Sequence, residues 1–442
     1  MNRLWRLLVA DGVRKYGANT AWLFSEKAVR VAAGIFVGIY VLRQLGPEKF
    51  GALSNILSYA AILAGVAPLG MDAILVRELV NRPADGERLL GTAFILKLAA
   101  AFAVLLAALP ILFFTATPKS TAVLVMIVLS GVLFQSLTVL EMYFQALVKG
   151  RCIAVSQMAA VLVCSAVRLV LAWKNAPLVW FAAVEPLLWL VEAVFFVRFY
   201  LDGGGRMSGW RFSSSEAGNL LKASWPLLLS GLAVTLYMRI DQPMLDRMLG
   251  AETLGIYAAA VKTAEAFFFI PLLTGAALFP ALLNAKKIDE KLYRSRLDGF
   301  CSLMFYGGVA ATIVLLCCGV AMIWLYGEAY RASYPLFAVI VWRLLFLSWG
   351  TAMTYYLYTE NLQIYSLFFS LSGAVFNVAA NLLLIRLYGA FGAAWASLAT
   401  SVFLVVAMPL LFRRLNFFVG VYWRSLNPLT MVRVLRDAGG VM

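Results

Sequence analysis

Apolar positions run in long unbroken blocks, and polar positions gather in short clusters between them. Twelve blocks hold roughly the 20 mainly apolar residues that a helix needs to cross a bilayer. They are 20–42, 50–70, 88–113, 120–144, 153–174, 177–200, 224–246, 255–283, 299–326, 332–358, 363–385 and 391–412. Period-two alternation is absent, which excludes a membrane β-barrel. The pattern predicts an all-α polytopic membrane protein with about twelve transmembrane helices.

The blocks repeat. Residues 43–53 read R-Q-L-G-P-E-K-F-G-A-L, and residues 247–257 read R-M-L-G-A-E-T-L-G-I-Y. Each copy of R-x-L-G-x-E-x-Φ-G (Φ apolar) closes one apolar block and opens the next. Trp22-Leu23 and Trp225-Pro226-Leu227 begin the preceding blocks at nearly the same offset. Two related halves of six helices are expected, and because six is even they share orientation, related by an axis along the membrane normal. Doubled membrane chains of this kind are usually transporters. The expected organisation is an N-terminal lobe over 1–200, a cytoplasmic linker over 201–222, a C-terminal lobe over 223–415 and a cytoplasmic tail over 416–442. Gly203-Gly204-Gly205 and Ser213-Ser214-Ser215 give the linker a flexible composition. No G-K-[ST] follows the Gly triplet, so it is no phosphate loop.

Charge sets the orientation. Alternate connections carry 23 Lys and Arg residues against 7 on the opposite set. The positive-inside rule then places both termini in the cytoplasm, with no cleavable leader expected ahead of the first helix. The same asymmetry accounts for the net charge of +15 without nucleic acid. Hydrophobic residues make up 63% of the chain and charged residues 13%, where a water-soluble domain has about a quarter charged. There is no His, and the five Cys form no C-x-x-C pair. Neither His-based acid–base chemistry nor a metal site is expected, and no cofactor.

Charges within the blocks are the candidate functional groups, because an ionised side chain at bilayer depth costs about 2.5–3.5 kcal/mol on insertion scales and usually faces an interior pathway. Lys27, Arg30, Arg239 and Lys262 lie on the first two helices of each half, staggered in depth, where a cavity between parallel lobes is expected. Arg offers phosphate a bidentate fork and Lys a compact charge. The structural alternative is salt bridging, with Glu26–Arg30 at i,i+4 and Lys262–Glu265 at i,i+3. Lys97, Arg168 and Arg343 read equally as snorkelling or structural groups. Glu26, Asp241 and Glu265 are candidates for proton or sodium coupling. Asn377 and Asn381, one turn apart, suit helix–helix glue, and Gly34-x-x-x-Gly38 suits a close-packing face.

Longer stretches resemble a family. N-T-A-W-L-F-S-E-K-A-V-R (19–30), G-I-Y-V-L-R-Q-L-G-P-E-K-F-G-A-L-S (38–54), L-G-M-D-A-I-L-V-R-E-L-V (69–80) and G-T-A-F-I-L-K-L (91–98) are similar to the bacterial polysaccharide flippases of the O-antigen type. So are S-W-P-L-L-L-S-G (224–231), Y-M-R-I-D-Q-P-M-L (237–245), G-I-Y-A-A-A-V-K-T-A-E (255–265) and F-P-A-L-L-N-A-K (279–286). The likeness is strong over residues 15–300. Beyond them only N-V-A-A-N-L-L-L-I (377–385) and Y-G-A-F-G-A-A (388–394) share it. That family belongs to the superfamily of the lipid II flippase and the multidrug and toxin extrusion exporters.

The resemblance implies two parallel six-helix lobes around a central cationic cavity. It points within the matched motifs to Lys27, Arg30, Arg239 and Lys262. It implies export of a polyprenyl-diphosphate-linked oligosaccharide from the cytoplasmic to the periplasmic leaflet of the bacterial inner membrane, alongside other polysaccharide assembly proteins. The rivals are a multidrug exporter of the same superfamily, which a negative cavity would favour, and a membrane-embedded polymerase or ligase. Such an enzyme would be expected to carry a long periplasmic loop, and every connection on that side is short, so a non-enzymatic transporter is the better reading.

Overall fold

The computed structural model describes residues 2–114 and 117–428. All regular structure among them is helical. Eleven stretches are long and apolar enough to cross a membrane. The first, Asn19–Ala64, lies in a helical run that Gly46 breaks with φ 72° and ψ 170°, so it supplies two crossings: α1 (2–45) and α2 (47–64). Ten more follow: α4 (Gly86–Phe114), α5 (Lys119–Ala146), α6 (Gly150–Trp173), α7 (Leu178–Asp202), α8 (Ser214–Leu249), α9 (Ala251–Ile288), α10 (Glu290–Gly319), α11 (Ser333–Thr359), α12 (Ile364–Tyr388) and α13 (Ala390–Leu410). Two shorter helices, α3 (Asp72–Asn81) and α14 (Asn416–Ser425), lie outside these crossings. The chain is an all-α, multi-pass membrane protein.

The α4 helix shows why such blocks fold as lipid-facing helices. Beyond Lys97 it is apolar all round; its buried stripe alternates small and larger residues (Ala101, Val104, Ala108, Leu112), and its exposed face is large (Phe102, Leu106, Leu109, Phe113). Small residues let helices approach closely, and large apolar ones meet lipid at no cost.

The chain resolves into two compact units. One comprises Met1–Leu45 and Asn55–Leu232, the other Gly46–Ser54 and Ala233–Met442. One division falls at the Gly46 break, and the others fall inside α2 and α8.

In the second unit the repeated motif explains the assignment of 46–54. Gly250 repeats the backbone of Gly46, with φ 86° and ψ 168°. Only glycine enters that region without strain. Five residues further in each copy, a Cβ on Gly51 would lie 2.7 Å from the Gly255 nitrogen, and one on Gly255 would lie 2.7 Å from the Pro47 carbonyl carbon. The two motif copies therefore cross backbone to backbone, which is why both positions are glycine. Glu48 and Glu252 sit exposed in the first turns that follow. There they complement the helix dipole.

In the first unit, Glu216 on α8 is buried and accepts from Arg82 Nη1 at 3.0 Å, Arg82 Nη2 at 3.0 Å and Arg88 Nη2 at 2.7 Å. That hydrogen bonding, with Glu78 adding to it, holds the Arg82 guanidinium above its usual pKa. The connection expected to be a flexible linker over 201–222 is a packed strap. The backbone of Trp210 and Arg211 lies against Gly91, where a Cβ would come within 2.7 Å of the Arg211 nitrogen. Trp210 stacks edge-on against Phe94 and donates to the Tyr200 hydroxyl at 3.1 Å. The Ser213 amide donates to Thr92 Oγ1 at 3.1 Å. Helix α8 already begins at Ser214.

Two further expectations change. Of the tail over 416–442, Asn416–Ser425 forms α14, whose Phe418, Val421 and Tyr422 are buried in the core of the second unit. There Tyr422 meets Trp349 and Phe418 stacks on Tyr356, and Arg424 grips Asp298 through two nitrogens. Residues 429–442 lie outside the described residues. Gly34 is not a packing face, because a Cβ there would meet nothing within 4 Å. Asn377 does tie α12 to α13, donating to Thr400 Oγ1 at 2.9 Å, and Asn381 donates back to Asn377.

Candidate functional site

The first unit carries one ionic cluster on α1. Helical spacing brings Glu26 and Arg30 onto one face, with Arg30 Nε donating to Glu26 Oε1 at 2.6 Å. Lys27 Nζ lies 3.2 Å from the other carboxylate oxygen, and Arg30 Nη2 lies 3.8 Å from Glu192 on α7. The burial is asymmetric. The side chain of Glu26 is 1% exposed, whereas those of Lys27 and Arg30 are 49% and 38% exposed. The acid sits behind the cations, and the exposed part of the cluster is the Lys27 and Arg30 side chains.

Other charges in this unit hold the scaffold. Lys97 is buried with its ammonium 2.6 Å from Asp72 and 3.0 Å from Thr138 Oγ1. Arg168 pairs with Glu185. Two relevant acids are not among the candidates read from the sequence, although Glu141 falls within the block 120–144. Asp72 stands at the start of α3, outside any apolar block. Glu141 lies close to the end of α5, half-buried within the field of Lys27 and Lys97.

The second unit places Arg239, Glu265, Asp241 and Lys262 differently. Arg239 Nη2 meets Glu265 Oε2 at 3.1 Å. Glu265 therefore serves the cation on the neighbouring helix α8, besides any contact along its own helix α9. Lys262 is exposed, with its ammonium 5.6 Å from the centre of the Phe50 ring. Asp241, only two residues beyond Arg239, turns into the core and is 1% exposed. Its Oδ2 accepts from the Tyr257 hydroxyl at 2.5 Å and from Ser397 Oγ at 3.3 Å, while Oδ1 has no hydrogen-bond partner among the described residues. Arg343 is buried over Phe268, with its guanidinium carbon 5.7 Å from the ring centre.

The structure thus gathers Glu26, Lys27 and Arg30 into one cluster and pairs Arg239 with Glu265. Within the second unit, Asp241 hydrogen-bonds to neither Arg239 nor Glu265 but to Tyr257 and Ser397. No group of three or more Cys, Asp or Glu converges as metal ligands would among the described residues.

Comparison with known proteins gives this arrangement a family. A model of the polysaccharide biosynthesis protein family matches residues 16–286, most of the chain and every one of the seven candidate residues. The chain belongs to that family. No curated protein sequence matches it.

Among solved structures, the lipid II flippase MurJ in an inward closed conformation is similar at a TM-score of 0.70 and 12% identity, covering 95% of this chain and 93% of that one. A multidrug resistance MATE transporter of the MOP superfamily, inward-facing, gives 0.64 at 15% identity over 88% and 95% of the two chains. The outward-facing conformation of a MATE transporter gives 0.63 at 13% identity over 92% and 96%. At such identities the likeness is one of fold. This polysaccharide biosynthesis protein has the two-lobed, all-helical fold of that superfamily.

Proposed function

We propose that this polysaccharide biosynthesis protein is a flippase. It moves a polyprenyl-diphosphate-linked oligosaccharide of the O-antigen type from the cytoplasmic to the periplasmic leaflet of the bacterial inner membrane by alternating access. In this reading both termini are cytoplasmic and the protein is a transporter rather than an enzyme. Lys27 and Arg30 take the diphosphate in the first unit, and Arg239 and Lys262 offer a second cationic pair. Bringing a diphosphate into a dry interior unpaired is prohibitive, so fixed cations must replace its water. The observation that carries the proposal is the burial of Glu26 behind Lys27 and Arg30. It holds both cations in place and leaves their side chains exposed to an anion. Asp241, buried with one unpartnered oxygen, is the proposed coupling acid for a proton or sodium ion.

One observation favours the rival cation exporter. Around Lys27, Arg30 and Lys97 the first unit sets Glu26, Glu192, Asp72 and Glu141. Substitution separates a diphosphate-binding role of Arg30 from one that only neutralises Glu26. If Arg30 serves only to neutralise Glu26, Glu26→Gln should restore export to Arg30→Ala. If Arg30 binds the diphosphate, the double variant should be well folded and still inactive, and Arg30→Lys should keep part of the activity because charge survives without the fork. Full rescue by Glu26→Gln would overturn the assignment of Arg30.

A further inference from the structure

A second feature of the first unit lies away from the ionic clusters. Between the end of α4 and the start of α5 lies a cavity of about 550 Å³. Leu112 and Met126 line it together with the exposed Phe113 and Val123. Thr117 and Lys119 line it where α5 begins, and Ser130 lines it three turns further along that helix. Apart from Lys119 and a few hydroxyl groups the lining is apolar.

Three properties select the occupant. The groove lies between two membrane-crossing helices and is lined by the exposed apolar side chains of Leu109, Phe113 and Val123, so it faces the bilayer. From Lys119 to Ser130 the α5 helix rises about 16 Å, roughly half of a hydrocarbon core of about 30 Å. The groove is therefore one leaflet deep. Its charge is one-sided as well: no acid occurs in the sequence between Glu87 and Glu141, and the only ionisable group lining the groove is Lys119.

We propose that this groove is a binding site for an anionic phospholipid of the adjacent leaflet. One acyl chain lies between α4 and α5, and the phosphate meets the Lys119 ammonium and the Thr117 hydroxyl. A single ammonium suits the single charge of a phosphodiester. A diphosphate would call for more cations than the groove supplies. The site is independent of the flippase reading and concerns the lipid solvent rather than the cargo.

Native mass spectrometry of the full-length protein in detergent tests it. The probes are phosphatidylglycerol and phosphatidylcholine with identical chains, together with a polyprenyl diphosphate. The wild-type protein should retain one phosphatidylglycerol about tenfold more strongly than phosphatidylcholine, the discrimination expected of one charge-assisted contact. Lys119→Gln should erase the preference while both lipids still bind. Val123→Trp, a change on an exposed lining residue that fills the groove, should weaken both. The proposal is overturned if the preference survives Lys119→Gln, or if Val123→Trp leaves lipid retention unchanged. It is equally overturned if polyprenyl diphosphate displaces phosphatidylglycerol at equal concentration, or if Val123→Trp instead converts a dimer to a monomer.

Discussion

Replacing Gly51 or Gly255 by alanine adds one methyl group to each motif copy where the backbones cross. An alanine Cβ at Gly51 would stand 2.7 Å from the Gly255 nitrogen and 2.8 Å from the Ala251 carbonyl carbon, and closer still to the Ala251 oxygen. At Gly255 it would stand 2.7 Å from the Pro47 carbonyl carbon and 3.0 Å from the Pro47 Cα. Comfortable carbon contacts begin near 3.5 Å, so the two segments must part by about 1 Å. The obstacle is backbone, and no rotamer change relieves it. Overpacking of this kind costs about 1–3 kcal/mol, and the upper end applies here. Alanine's better helix propensity returns up to about 1 kcal/mol.

Each single variant should therefore lose about 2 kcal/mol. For a unit of some 200 residues that lowers Tm by about 4–8 °C. Once the helices have parted for one methyl group, much of the room for the other exists, so the double variant should be less destabilised than the two losses combined. Gly34→Ala, where a Cβ meets nothing, is the control and should be neutral or slightly stabilising. The assay is thermal unfolding of the purified full-length protein in one detergent, with export measured alongside. A raised Tm for Gly51→Ala, or losses that simply add in the double variant, would refute the close-crossing argument.

Glu216→Gln breaks the clamp onto Arg82 and Arg88. It should cost about 1–2 kcal/mol, near the value of one charged hydrogen bond because both arginines are solvated on one side. Amide exchange over residues 207–220 should accelerate, and unchanged exchange would show that the strap is held by Trp210 alone. Glu48→Gln should cost less than about 1 kcal/mol, the scale of an exposed dipole interaction, and should leave export intact. Lost export at unchanged Tm would move Glu48 into gating. Asp241→Asn keeps an acceptor for Tyr257 and Ser397, so folding should survive while dependence of export on an ion gradient disappears; an unaltered gradient dependence would remove Asp241 from coupling. Reporter fusions after Phe199 and after Lys119 should read cytoplasm and periplasm respectively, and the reverse would invert the topology.

The helices were legible because bilayer thickness fixes a length that any apolar block must meet. The repeated motif was legible because Gly46 and Gly250 need the same backbone and Gly51 and Gly255 the same close approach. What composition hid was packing by a few residues within a polar segment. Glycines and serines at 203–215 read as a flexible linker, yet Trp210, Gly91 and Thr92 pin the strap, and the long-range grip of Arg82 on Glu216 leaves no local spacing signal. The α14 helix was hidden for the opposite reason. Phe418, Val421 and Tyr422 have helical spacing, but the stretch is too short and too basic to register as a crossing. At the site, spacing correctly joined Glu26 to Arg30. It could not show that Glu265 would serve Arg239 on another helix, or that Asp241 would turn away from both.

The most direct test of the account is flipping by the purified protein in sealed vesicles. The substrate is a fluorescent polyprenyl-diphosphate oligosaccharide, assayed beside a fluorescent organic cation. The account predicts movement of the lipid-linked sugar across the bilayer, and its abolition in the folded Glu26→Gln/Arg30→Ala double variant. It predicts no transport of the cation. Export of the cation with no movement of the lipid-linked sugar would contradict it.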